Sequence, residues 1–99
     1  MNALFKEVIN QLFVATNFAT QIYGTESEMA HTFTMALETY SALAQLEIEI
    51  NDLDLLENII DTQEMVIYIY AKKYGKSHDK TRESIKLHNA LVDEYNAKL

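Results

Sequence analysis

The chain has 99 residues, a net charge of −7, and neither cysteine nor proline. That length carries one domain, because two separate cores would each be too small to hold. Disulfides and thiol chemistry are excluded, and a composition 48% hydrophobic supplies a packed core rather than a disordered chain.

Glycine occurs only at 24 and 75, so the chain has few places to turn, which favours long helices. The start, MNALFKEVINQLF, lacks the basic region and unbroken apolar core of a signal peptide. No run approaches the length of a membrane span. The expectation is a soluble, cytoplasmic protein with no membrane partner.

The first helix is predicted over residues 3–23. Leu4, Val8, Leu12, Ala15, Ala19 and Ile22 line one side, and Phe5, Ile9 and Phe18 widen it. Between Val8 and Thr25 no residue is charged, and the polar side is only Asn10, Asn17, Thr20 and Gln21. A surface helix normally carries charge on its wet face, so this helix is expected to be covered on more than one side. The cover is either a second copy of the chain, with Phe5, Ile9, Phe13, Val14 and Phe18 as interface, or the rest of the same subunit.

Gly24 ends that helix, and Thr25-Glu26-Ser27-Glu28 reads as a capping box opening a second helix over about 26–50. Its stripe is Met29, Phe33, Ala36, Leu37, Tyr40 and Ala44, with Glu47 in line where the stripe runs out. Continuing through Asn51 and Asp52 without a break would rotate the apolar face away from a common neighbour. Both are good N-cap residues, so a tight turn is predicted at 50–52.

The third helix, Asp52 to Tyr74, organises the chain. Leu53, Leu56, Ile59, Ile60, Val66, Ile67, Tyr70 and Tyr74 share one face, and Asp54, Glu57, Asp61 and Glu64 form an acidic stripe beside it. Lys72 and Lys73 close the helix before Gly75. A fourth helix follows over about 78–97, capped by Ser77 or Asp79. Its stripe is Ile85, Leu87, Leu91, Val92 and Tyr95, with Thr81, Ser84 and His88 on the same face near its start, a pattern expected at a wet edge or a site.

The charge is unevenly placed. Ten acids and no lysine or arginine lie from Glu26 to Glu64, whereas six bases lie from Lys72 to Lys86. An acidic half repels phosphate, so no nucleic-acid partner is expected. It suits instead a basic patch on a protein, with Asp54, Glu57, Asp61 and Glu64 as the contact. Lys72, Lys73, Lys76 and Arg82, with Ser84 and His88, form a second candidate surface for an anion or a partner.

Catalytic and metal signatures are weak. Glu28-x-x-His31 has the spacing of a di-iron bundle motif but lacks the second copy that motif requires. Asp54-x-x-Glu57 and Asp61-x-x-Glu64 resemble the magnesium motifs of helical nucleotide pyrophosphatases, yet sit on one helix beside its apolar face. Ser84 and His88 are four apart, with no oxyanion hole or third orienting group in view. No metal, no cofactor and no catalytic residue is therefore expected.

Residues 56–95, LENIIDTQEMVIYIYAKKYGKSHDKTRESIKLHNALVDEY, resemble the two-helix aspartyl-phosphate phosphatases that regulate sporulation phosphorelays. The resemblance rests on an acidic-apolar first helix, the turn from Gly75 to His78, Ser84-Ile85-Lys86-Leu87, and the tail Leu91-Val92-Asp93-Glu94-Tyr95. His88 stands where that family has its catalytic aspartate, or Asn89 if spacing is counted from Gly75; neither is an acid. The resemblance implies a phosphorelay regulator that acts on a response regulator and has lost hydrolysis.

The sequence thus predicts an all-α antiparallel bundle of four helices (three if the middle pair ran on as one rod), with short turns forcing sequential neighbours together. The function it favours is non-enzymatic regulation or inhibition of a macromolecular partner by protein–protein binding. An oligomer holding a small ligand between subunits is the third reading.

Overall fold

The computed structural model describes residues 2–99, which form four helices and no strand: α1 (Asn2–Tyr23), α2 (Glu28–Gln45), α3 (Leu53–Tyr74) and α4 (Asp79–Lys98). None is long and apolar enough to cross a membrane. The described chain measures 36 × 28 × 18 Å.

Helix α1 is the hub. It packs against α2 on one side and against α3 and α4 on the other, while α3 and α4 pair with each other. Phe5, Val8, Leu12, Ala15 and Ala19 are all buried, and they meet Ala30, Phe33 and Tyr40 of α2 and Leu56, Ile59, Val66, Ile69 and Tyr70 of α3 in one core. Three helices pack on α1, but Asn10, Phe13, Asn17 and Gln21 remain exposed, so this packing covers only part of its uncharged length.

The sequential-neighbour expectation fails at one place. Helix α2 rests on α1 and makes no comparable packing against α3. The connection is longer than predicted, since α2 stops at Gln45 and residues 46–52 follow before α3. The stop is a Schellman turn: Glu47 N–H donates to Ala44 O at 3.1 Å, and Ile48 N–H donates to Leu43 O at 3.2 Å. Glu47 takes the left-handed position at φ 55°, where a glycine is usual. Ile50, fully buried, then pins the connection to the core.

The caps also differ in detail. Ser27, rather than Thr25, caps α2, its Oγ accepting from Ala30 N–H at 3.1 Å. Asp52 caps α3 as expected, accepting from Asp54 and Leu55 N–H. His78, between the two expected residues, caps α4: its Nδ1 accepts from Lys80 N–H at 3.0 Å, and its ring stacks on Tyr74. Gly75, at φ 101°, lets the chain reverse before it, and its carbonyl accepts from Thr81 Oγ1 at 2.8 Å.

The inner face of α4 is a correction. Ile85 is exposed, and Thr81 and Ser84 are sealed in the core with Leu87 and Leu91. No wet edge lies there. Ser84 Oγ donates to Thr81 O at 2.6 Å. Gln63, unexposed on α3, donates to both Gln11 Oε1 at 2.8 Å and Ser84 O at 3.0 Å, and Tyr70 OH donates to Gln11 O at 3.2 Å. A polar seam therefore runs through the join of α1, α3 and α4.

Burial drives the Tyr70 phenol well above its ordinary value of 10.0, with Tyr74, Glu7 and Glu83 adding to the effect. Burial also raises Tyr40, against the lowering effect of its hydrogen bond with Thr62. A raised folded pKa means the fold keeps a proton that the unfolded chain releases. Stability is accordingly unaffected below the unfolded phenol value and falls as pH rises above it, by at most about 1.4 kcal/mol per pH unit for each such group. In alkaline urea titrations Tyr70→Phe should flatten this decline; an unchanged slope would show that Tyr70 is not its source.

Candidate functional site

The gap between α2 and α3 forms an open groove. The two helices run antiparallel across it, so that Met29 of α2 lies with Met65 and Tyr68 of α3, and Met35, Ala36 and Thr39 lie with Leu55 and Asn58. Adjoining hollows of about 290, 350 and 360 Å³ make up its length. Met29, Met65 and Leu55 are half-buried, whereas Met35 and Tyr68 are 56% and 52% exposed. One side-chain hydrogen bond spans the groove floor among the described residues, Tyr40 OH with Thr62 Oγ1 at 3.1 Å.

Its rim is acidic. Asp61 and Glu64 line it from α3 and Glu28 from α2. Asp54 and Glu57 are exposed and continue the α3 stripe, but do not line the groove. The acids are where helical periodicity put them; what the sequence did not reveal is the apolar trough beside them. Met35 and Met65 were its one local signal, since 35 lies off the core stripe of α2 and 65 off that of α3. Glu64 also meets His88 of α4, Oε1 to Nε2 at 3.3 Å.

The basic surface is not gathered into one pocket. Lys72 Nζ lies 5.2 Å from the Tyr23 ring centre and 5.5 Å from that of Tyr68, whereas Lys73 Nζ lies 5.3 Å from that of Phe18. Such cation–π contacts hold each lysine over its own ring. Lys76 and Arg82 are exposed. Ser84 is fully buried with its hydroxyl engaged, and His88 faces the acidic stripe, so neither joins the lysines.

The expected interface on α1 is largely core. Phe5 is 3% exposed, with its ring 5.7 Å from that of Tyr40, and Phe18 stands edge-on to Tyr70 and Tyr74. Ile9 and Val14 are half-buried against the same core. Phe13 alone of the five is exposed, at 58%, in a strip with Asn10, Asn17 and Gln21.

No family model, curated protein or solved structure matches the chain. In the α3–α4 hairpin, His88 is half-buried at Glu64, and Asn89 faces solvent. Among the described residues no three His, Asp or Glu side chains group closely enough to hold a metal ion. Gln11 and Gln63 are the residues sequence reading missed. Their spacing places them within the apolar stripes, Gln11 between Val8 and Ala15 and Gln63 between Ile59 and Tyr70, but it does not show that they meet, because their contact joins positions 52 apart.

Proposed function

We propose that this protein is a non-enzymatic binding module that regulates a protein partner by seating it in the groove between α2 and α3. The observation that supports this is the coincidence of an exposed methionine-lined trough with an acidic rim. A trough of half-exposed thioethers gains free energy when covered, about 25 cal/mol for each Å² of apolar surface removed from water. The carboxylates add long-range attraction and select a partner of opposite charge.

The stripe could instead serve only to solvate α3, and the two roles separate by experiment. Asp61→Lys combined with Glu64→Lys reverses two rim charges and takes the net charge from −7 to −3, each replacement adding two units. Folding stability should change by no more than about 1 kcal/mol, since both are exposed. Association with a partner captured from the source cell should slow at least about tenfold, and the wild-type on-rate should fall as salt is added. Unaltered association in the double variant would return the stripe to solvent and end the proposal.

A further inference from the structure

Both walls of the groove are α-helices, whose backbone groups are already bonded within each helix. The groove offers no strand edge, so an extended segment would enter it with its own N–H and C=O groups unpaired. An occupant that carries its hydrogen bonds internally avoids that cost. From Met29 to Tyr40 the α2 wall spans about 16 Å at 1.5 Å per residue, and from Leu55 to Tyr68 the α3 wall spans about 20 Å. That is room for three to four helical turns.

The side chains specify the rest. Thioethers are unbranched and adaptable, so the floor accepts leucine, isoleucine or phenylalanine anchors without demanding one shape. Anchors on one helical face recur at i, i+3 or i+4, and i+7. The lining residues include Glu28, Asp61 and Glu64 and no lysine or arginine. The flanks of the occupant should therefore be basic, which disfavours anionic lipid and nucleic acid alike.

We infer that the occupant is a basic amphipathic helix of three to four turns, presented by a partner protein, with its apolar face on Met29, Met35 and Met65 and its lysines or arginines against the rim. This rests on the docking function proposed above and names the kind of partner.

The test uses the full chain and a fluorescein-labelled, amidated model helix of about 14 residues, with leucine at i, i+3/i+4 spacing and lysine elsewhere. Two control peptides carry glutamate in place of lysine, or a central proline that breaks the helix. Glu38→Lys with Asp93→Lys is the charge-matched control protein, because both residues are exposed and neither lines the groove. The lysine peptide should bind the wild type and this control alike. It should bind Asp61→Lys with Glu64→Lys at least tenfold more weakly, and the proline and glutamate peptides should bind the wild type at least tenfold more weakly. In methionine-methyl NMR spectra the Met29, Met35 and Met65 resonances should move on titration. Equal weakening in both protein variants, or equal binding of the proline peptide, would overturn the inference. So would methyl shifts that follow protein concentration alone, which would make a second copy the occupant. A captured partner that binds the wild type but not the Asp61/Glu64 variant, alongside a lysine peptide that fails to bind, would keep the docking function and remove the helix.

Discussion

Gln63→Glu should cost the protein about 3–5 kcal/mol of stability at neutral pH. The change keeps shape and swaps one atom, but that atom is the donor of the polar seam. Gln63 Nε2 gives its two hydrogens to Gln11 Oε1 and Ser84 O, and its amide oxygen, Oε1, has no partner among the described residues. A glutamate would set two acceptor oxygens against two acceptors, with no exposed surface to drain the charge. An uncompensated buried charge costs about 3–5 kcal/mol, against a whole-domain stability of about 5–15 kcal/mol. Burial would raise the folded pKa of the new carboxyl above the unfolded value of about 4.3. The variant should accordingly be most stable below that value and lose stability as pH rises through the raised folded pKa. Urea midpoints at acid and neutral pH measure this, and a variant equally stable at both would contradict the geometry. Gln63→Met is the companion: it removes the orphaned oxygen but leaves buried Gln11 Oε1 without its donor, and should cost about 1–3 kcal/mol with no such pH dependence.

The same residue marks the limit of what could be read from the sequence. Periodicity was enough for four helices, for Asp52 as a cap and for an exposed acidic edge on α3, because each depends on residues within a few positions of one another. Gln11 and Gln63 fall within the apolar stripes of α1 and α3, Gln11 three after Val8 and Gln63 four after Ile59; only the fold, by placing α1 on α3, shows that they partner each other. The α2 stop was illegible for a related reason. A Schellman turn normally shows itself by glycine, and here Glu47 takes the left-handed position. That hidden stop lengthened the α2–α3 connection and opened the groove. The acids of the candidate site were thus legible and its apolar half was not, since that half exists only because α2 leans on α1 rather than on α3.

Phe33→Ala should release α2 from the rest of the molecule. Phe33 is fully buried, the largest side chain so enclosed, and α2 has only Ala30 and Tyr40 as further buried residues. Truncating a buried phenylalanine costs about 3–5 kcal/mol, from lost apolar burial and the cavity left behind. That loss falls almost wholly on the α1–α2 contact, because α2 packs on no other helix to a comparable degree. Amide exchange should show the difference: protection in α2 should collapse, while α3 and α4, which pair with each other, keep more of theirs. The groove needs both walls, so partner binding should disappear with α2. Met35→Ala separates the two effects. Met35 is 56% exposed, so its truncation should alter stability by less than about 0.5 kcal/mol while weakening whatever sits on the groove floor. A uniform loss of protection across all four helices in Phe33→Ala would instead show that α2 unfolds only with the whole domain.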